Sequence, residues 1–234
     1  MRKIIYIYTL LFFSLFSAQS IKYGITANLH KGSIVGIHDK SSGNFGGGLG
    51  VFADIALVPN DIYDSAWLYF SPQLEFSMEG EKAEGNYWDK VGGDVQKYNL
   101  YYVGMPLYFK YFLKNHGYKT DIFFMLGPKL EFLASDNTSE EQAIKDARAA
   151  GLLPNTPANI ENMYPKTLSY WGFDNNVAKF GFGISVAAGV KINDNLDVFV
   201  RFDRGFSKIY PDYKRENTYS RLLGIGINYY LGER

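Results

Sequence analysis

The sequence predicts an all-β protein, an eight-stranded, antiparallel, up-and-down transmembrane β-barrel. Three observations carry this expectation. Eight segments alternate apolar and polar residues with a period of two, the signature of strands with one apolar face. Tyrosine (19), phenylalanine (18) and glycine (24) are frequent in a chain of 234 residues. That mixture suits aromatic, glycine-bearing strands better than a soluble α/β enzyme. The connections between the segments alternate between long and short, as in outer-membrane barrels.

The chain opens with what reads as an export signal over residues 1–20. Arg2 and Lys3 form a positive start, Ile4 to Phe16 an apolar run, and Ser17, Ala18, Gln19 and Ser20 a small, polar end. The run falls short of the roughly 20 residues that a membrane-spanning helix needs. Nothing later in the chain reaches that length without a charge or a break. In a membrane, residues 21–234 therefore have to form a closed barrel, because every backbone polar group must find a partner there.

The first strand is expected from Ile21 to Leu29, with Ile21, Tyr23, Ile25, Ala27 and Leu29 on one face. The second, about Phe45 to Leu57, sets Phe45, Leu49, Val51 and Ile55 against Gly46, Gly48, Gly50 and Asp54. The third, about Trp67 to Glu79, sets Leu68, Phe70, Leu74 and Phe76 against Ser71, Gln73, Glu75 and Ser77. The fourth, about Tyr98 to Leu113, is aromatic on both faces. The fifth, about Asp121 to Leu133, alternates Ile122, Phe124, Leu126 and Leu130 with Met125, Gly127, Lys129 and Glu131.

The sixth, about Val177 to Ile192, alternates most regularly, with Phe180, Phe182, Ile184 and Val186 against Lys179, Gly181, Gly183 and Ser185. The seventh, about Leu196 to Ser207, sets Val198, Val200 and Phe202 against Asp197, Arg201 and Asp203. The eighth, about Tyr219 to Leu231, sets Leu223, Ile225 and Ile227 against Gly224, Gly226 and Asn228.

Two faces of opposite character follow. The apolar face is bulky, and lipid is its expected contact. The polar face collects glycine and charge. Glycine weakens a solvent-facing strand, but inside a narrow barrel it makes room for long side chains. The expected interior network is Lys22, Lys110, Lys129, Lys179, Lys191 and Arg201 against Asp54, Glu75, Glu131, Asp197 and Asp203. Eight strands leave just enough interior for side chains, so these charges read as a self-satisfied plug.

The long connections are expected at His30–Asn44, Gly80–Lys97, Ser135–Asn176 and Lys208–Thr218. With both termini in the periplasm, they fall outside the cell. The long third one reads as partly helical. Thr138 to Glu141 has capping-box spacing, and Ala143, Ile144, Ala147 and Ala150 share a face. Tyr87, Trp88, Tyr164, Tyr170 and Trp171, with Ile144 and Ala147, form the candidate partner surface, because exposed aromatics anchor interfaces.

Several chemistries are excluded or unsupported. The chain has no cysteine, hence no disulfide or thiolate metal site, and its formal net charge is zero, with no footprint for nucleic acid. No cofactor or metal signature is present. His30, His38, Asp39, Ser33 and Ser41 would share the first outer loop, but no spacing links them as a catalytic set. The expectation is a protein that is not an enzyme.

Several stretches resemble the PorT-like outer-membrane β-barrel proteins of Bacteroidetes. They are the signal ending in Ala18-Gln19, the strand Tyr102-Val103-Gly104-Met105-Pro106-Leu107-Tyr108-Phe109-Lys110-Tyr111, and Gly127-Pro128 in the next strand. Phe202-Asp203-Arg204-Gly205-Phe206 and Leu223-Gly224-Ile225-Gly226-Ile227-Asn228-Tyr229 resemble the family's last two strands. The resemblance implies an outer-membrane barrel without common catalytic residues. One member of that family is associated with a protein-secretion system. The function expected is structural or adaptor-like, in contact with outer-membrane lipid and an envelope protein complex or surface ligand. The alternatives are a small-solute, porin-like channel and a soluble lipid-binding barrel with the two faces reversed.

Overall fold

The computed structural model describes residues 20–35, 40–60, 63–84, 96–115, 118–139, 177–209, 211 and 218–233. Eight strands form one closed sheet. They are β1 (Ile21–Val35), β2 (Lys40–Asn60), β3 (Tyr63–Glu84), β4 (Gln96–Asn115), β5 (Tyr118–Ser139), β6 (Phe180–Asn193), β7 (Leu196–Gly205) and β8 (Tyr219–Glu233). Each pairs antiparallel with its neighbours in sequence, and β8 closes on β1. The barrel is the expected one.

Register fixes its dimensions. The row of paired residues runs from Lys22 through Asp54, Ser71, Tyr108, Gly127, Ser185, Asp203 and Leu222, and returns to β1 at Gly32, ten residues further along. A stagger of this size tilts the strands and leaves an interior that side chains can fill.

The pleat sorts the side chains. Leu29, Phe45 and Leu49 are 68%, 72% and 70% exposed on the outside. Asp54, Glu75, Lys110, Lys129 and Arg201 are buried inside. The soluble alternative, with apolar residues inside, is therefore corrected: the bulky face points outward. Glycine fits where the wall needs it. A Cβ on Gly226 would sit 2.4 Å from the Phe199 ring, and one on Gly224 would sit 2.6 Å from His30.

The strands run further than the alternation predicts. β1 continues past Leu29 to Val35, and β5 continues past Leu133 to Ser139. His30, expected in the first loop, is a strand residue facing the interior. Thr138, expected to cap a helix, pairs with Tyr98 in the sheet. Outside the apolar layer a strand needs no apolar face, so pairing continues where alternation fades. The expected helix in the third long connection lies outside the described residues.

The two ends differ. Asn193–Asn195 make a tight turn in which the Asn195 amide donates to the Asn193 side chain at 2.9 Å. At the other end β2 to β5 outrun the rest. Phe132 of β5 pairs with Phe180, the first residue of β6, and β5 then continues for seven residues to Ser139. At about 3.3 Å per residue, that is about 23 Å of strand. Ile209, which follows β7, is buried at this end. The Ile209 amide donates to the Thr218 carbonyl, and its carbonyl accepts from Ala178, both at 2.8 Å.

Candidate functional site

Inward-facing residues build two charge clusters, with Phe199 buried on β7 between Asp197 of the first and Arg201 of the second. The first lies toward the end that holds both termini. Lys110 of β4 donates to Asp54 of β2 at 3.0 Å and to Asp197 of β7 at 2.5 Å. It also donates to the Tyr230 hydroxyl of β8 at 2.6 Å. That hydroxyl lies 2.7 Å from Asp54 and 2.8 Å from Asp197. Ser71 donates to the other Asp54 oxygen at 2.5 Å. The Lys110 ammonium also lies 4.5 Å from the centre of the Phe123 ring. Rings and carboxylates together replace the water that a buried ammonium loses.

The second cluster lies toward the other end. Arg201 of β7 grips Glu75 of β3 at 2.7 and 2.8 Å and donates through Nε to Asp203 at 3.1 Å. Lys129 of β5 reaches Glu79 at 2.9 Å, Glu131 at 2.5 Å and Asp203 at 2.9 Å. Ser185 donates to Asp203 at 2.5 Å and is tied to the Tyr108 hydroxyl at 2.6 Å. His30 places Nδ1 2.7 Å from the Asn28 side chain and Nε2 2.9 Å from the Met78 carbonyl.

Tyr69, Tyr108, Phe112, Phe123, Met125, Ala187 and Phe199 pack into one cluster in the barrel core. Ile34, Leu100, Tyr102, Ile209 and Leu222 are buried at the far end. Small cavities remain at the two mouths, about 20 Å³ beside Asp54 and Tyr230 and about 10 Å³ beside Glu79. Each has room for about one water molecule.

The expected network is thus redrawn. Asp54, Glu75, Lys110, Lys129, Glu131, Asp197, Arg201 and Asp203 are all buried in the two clusters. Lys22 and Lys191 sit instead at the rim, bonded to Glu233 at 3.4 Å and Asp194 at 2.6 Å. Lys179 does not join the clusters: its carbonyl accepts from the Leu133 amide of β5 at 2.9 Å, but it precedes β6 at the open end of the barrel, where its side chain is exposed. Glu79 and His30 belong to the interior and were missed. Both continue the period of their strands, Glu79 after Gln73, Glu75 and Ser77, and His30 after Thr26 and Asn28.

Among the described residues, the buried groups are six carboxylates (Asp54, Glu75, Glu79, Glu131, Asp197, Asp203) and three cations (Lys110, Lys129, Arg201). This replaces the near balance expected from sequence. His30 also leaves the outer-loop set in which the sequence placed it, and His38 and Asp39 lie outside the described residues. So do the expected surface residues Tyr87, Trp88, Ile144, Ala147, Tyr164, Tyr170 and Trp171.

The profile of the outer membrane protein beta-barrel domain family matches residues 17–210. The chain belongs to that family. As a member of the outer membrane protein beta-barrel domain family, it resides in the outer membrane. No curated protein matches it significantly.

Among solved structures, the chain is similar to Neisserial surface protein A, with 11% identity over 88% of this chain and 96% of that one, at a TM-score of 0.44. It is similar to Ail, the attachment invasion locus protein of Yersinia pestis, solved with the heparin analogue sucrose octasulfate. There the identity is 8%, the coverage 91% and 99%, and the TM-score 0.38. It is also similar to the outer membrane enzyme PagL, with 11% identity, coverage of 87% and 98%, and a TM-score of 0.37.

Proposed function

We propose that this outer-membrane barrel is a non-enzymatic docking protein that holds an envelope protein or surface ligand at its far end. The supporting observation is the extension of β2 to β5 beyond the start of β6. Such an extension adds nothing to closing the wall, yet it costs backbone entropy to order. It offers a rigid, backbone-paired platform on which the loops stand. The filled interior fits the same reading, because a barrel packed with side chains serves as a mount. The PorT-like resemblance adds a class of partner, an envelope complex associated with secretion in Bacteroidetes. In this reading the long connections face outward, and residues 1–20 are a signal removed during export, which N-terminal sequencing of the mature protein would show.

The test is purification of tagged protein from its native outer membrane in mild detergent. A stoichiometric envelope partner is expected, and it should be lost when residues 140–176 are removed. The deletion spares Ser135–Ser139, which belong to β5. A barrel that purifies alone, or a partner retained after the deletion, would refute the docking role of that connection.

A further inference from the structure

The lipid-facing wall is not uniform. A groove of about 570 Å³ crosses the outer face of β8, β1 and β2. Ala27 and Gly47 form its floor, where side chains are small or missing. Leu29, Leu49, Phe76 and Ile225 line its sides. The size lies in the range of ligand pockets.

Beyond the groove toward the far end, three cations stand on three neighbouring strands: Lys31 two residues past Leu29, Arg221 four residues from Ile225, and Arg204 beside Arg221. Arg204 of β7 pairs directly with Arg221 of β8. Arg221 pairs with Ser33 of β1, two residues from Lys31, which makes Lys31 its diagonal neighbour. All three occupy outward positions. Like charges directly opposite each other in a sheet repel. Among the side chains that the structure describes, no carboxylate forms an ion pair with them. Aromatic faces hold two of them in place: Arg204 lies 5.6 Å from the Tyr219 ring centre and Lys31 lies 6.0 Å from that of Phe45. The corresponding end of the opposite wall carries Val103, Phe132 and Phe180, paired across β4 to β6. That ladder is apolar, and the exposed Lys179 precedes it.

We propose that this surface binds one phosphorylated glycolipid of the outer leaflet, with its phosphate at Arg204, Arg221 and Lys31 and one acyl chain in the groove. In the outer membrane this wall faces lipid, so an acyl chain is its natural neighbour. The paired guanidinium groups match phosphate oxygens in forked geometry. Bound phosphate also removes the repulsion between the two arginines. The row of cations stands at the end with the long connections; resting on the outward orientation proposed above, this selects the outer leaflet and hence lipid A among phosphate-bearing lipids.

The test is native mass spectrometry of the full barrel in detergent, titrated with bisphosphorylated lipid A, its dephosphorylated form and phosphatidylglycerol. Phosphorylated lipid A should bind as one molecule per barrel, about tenfold or more tighter than the other two. The Lys31→Ala, Arg204→Ala, Arg221→Ala triple variant should lose that preference. These side chains lie outside the packed interior, so the barrel should still fold. Ala27→Phe, which fills the groove, should weaken binding of both forms of lipid A while keeping the preference for phosphate. Equal affinity for the three lipids, or an unaffected triple variant, would overturn the proposal. So would a stable dimer whose second copy covers the groove.

Discussion

Replacing Arg201 with methionine should be among the most damaging single changes in the barrel. Arg201 makes two hydrogen bonds to Glu75 and one to Asp203 in a closed interior. Methionine fills much of the volume but leaves Glu75 without its cation. Asp203 keeps Lys129 at 2.9 Å. Removing one partner of a buried ion pair costs about 3–5 kcal/mol, roughly a hundredfold to several thousandfold in the folding constant. With a urea slope of about 2 kcal/mol/M, the unfolding midpoint in detergent or vesicles should fall by about 2 M. Glu75→Met alone should cost somewhat less, because the guanidinium loses two hydrogen bonds but keeps Asp203 at 3.0 Å. The double variant should cost much less than the sum, since a buried pair replaced by apolar groups is often neutral. The double-mutant cycle should thus show a coupling of at least about 3 kcal/mol. Additive losses would refute the idea that these charges act as a lock.

Lys110→Met should be at least as costly, because Asp54 and Asp197 both lose their cation, and adding Asp197→Asn should recover part of the urea midpoint. Gly226→Ala should cost about 1–3 kcal/mol by pressing a methyl group against the Phe199 ring, and Phe199→Leu in the same chain should restore part of it in thermal unfolding. Tyr108→Phe removes the 2.6 Å bond to Ser185 and should lower stability by about 1 kcal/mol in the same titration. Reconstituted in planar bilayers, the barrel should give no single-channel steps, since buried side chains such as Tyr108, Phe123, Phe199 and Arg201 fill its core. Steps that vanish in Arg201→Ala would favour a solute path through the interior.

How much of this was legible in the sequence depended on which side of the wall a residue faces. Period-two alternation located all eight strands, because lipid demands an unbroken apolar face and the pleat turns that demand into a pattern. It also put Asp54, Glu75, Lys129, Arg201 and Asp203 on one face. It failed where lipid stops acting. Beyond Leu29 on β1 and Leu133 on β5 the outward residues are free to be polar, so His30 was read as loop although its backbone pairs with Gly46. Lys179 kept the period of β6 but stands at the open end of the barrel, and periodicity, which carries no register, could not place it there. The two clusters were beyond sequence reasoning for the same reason. Lys110 meets Asp197 and Tyr230 only because the stagger brings β4, β7 and β8 to one level. The outer groove was overlooked because Ala27 and Gly47 matter only through the large side chains on neighbouring strands.

The bonds of Lys110 bear on how such a barrel is assembled. Its partners are Asp54, 56 residues away, Asp197, 87 away, and Tyr230, 120 away. No hairpin of adjacent strands contains this cluster. Until β8 has arrived, a partly built sheet holds an ammonium and two carboxylates without their full set of partners, and entering the lipid in that state is costly. Wall and interior are therefore completed together. The charges give the barrel a cooperative final step, in which closing the seam between β8 and β1 is also what makes the chain acceptable to the membrane.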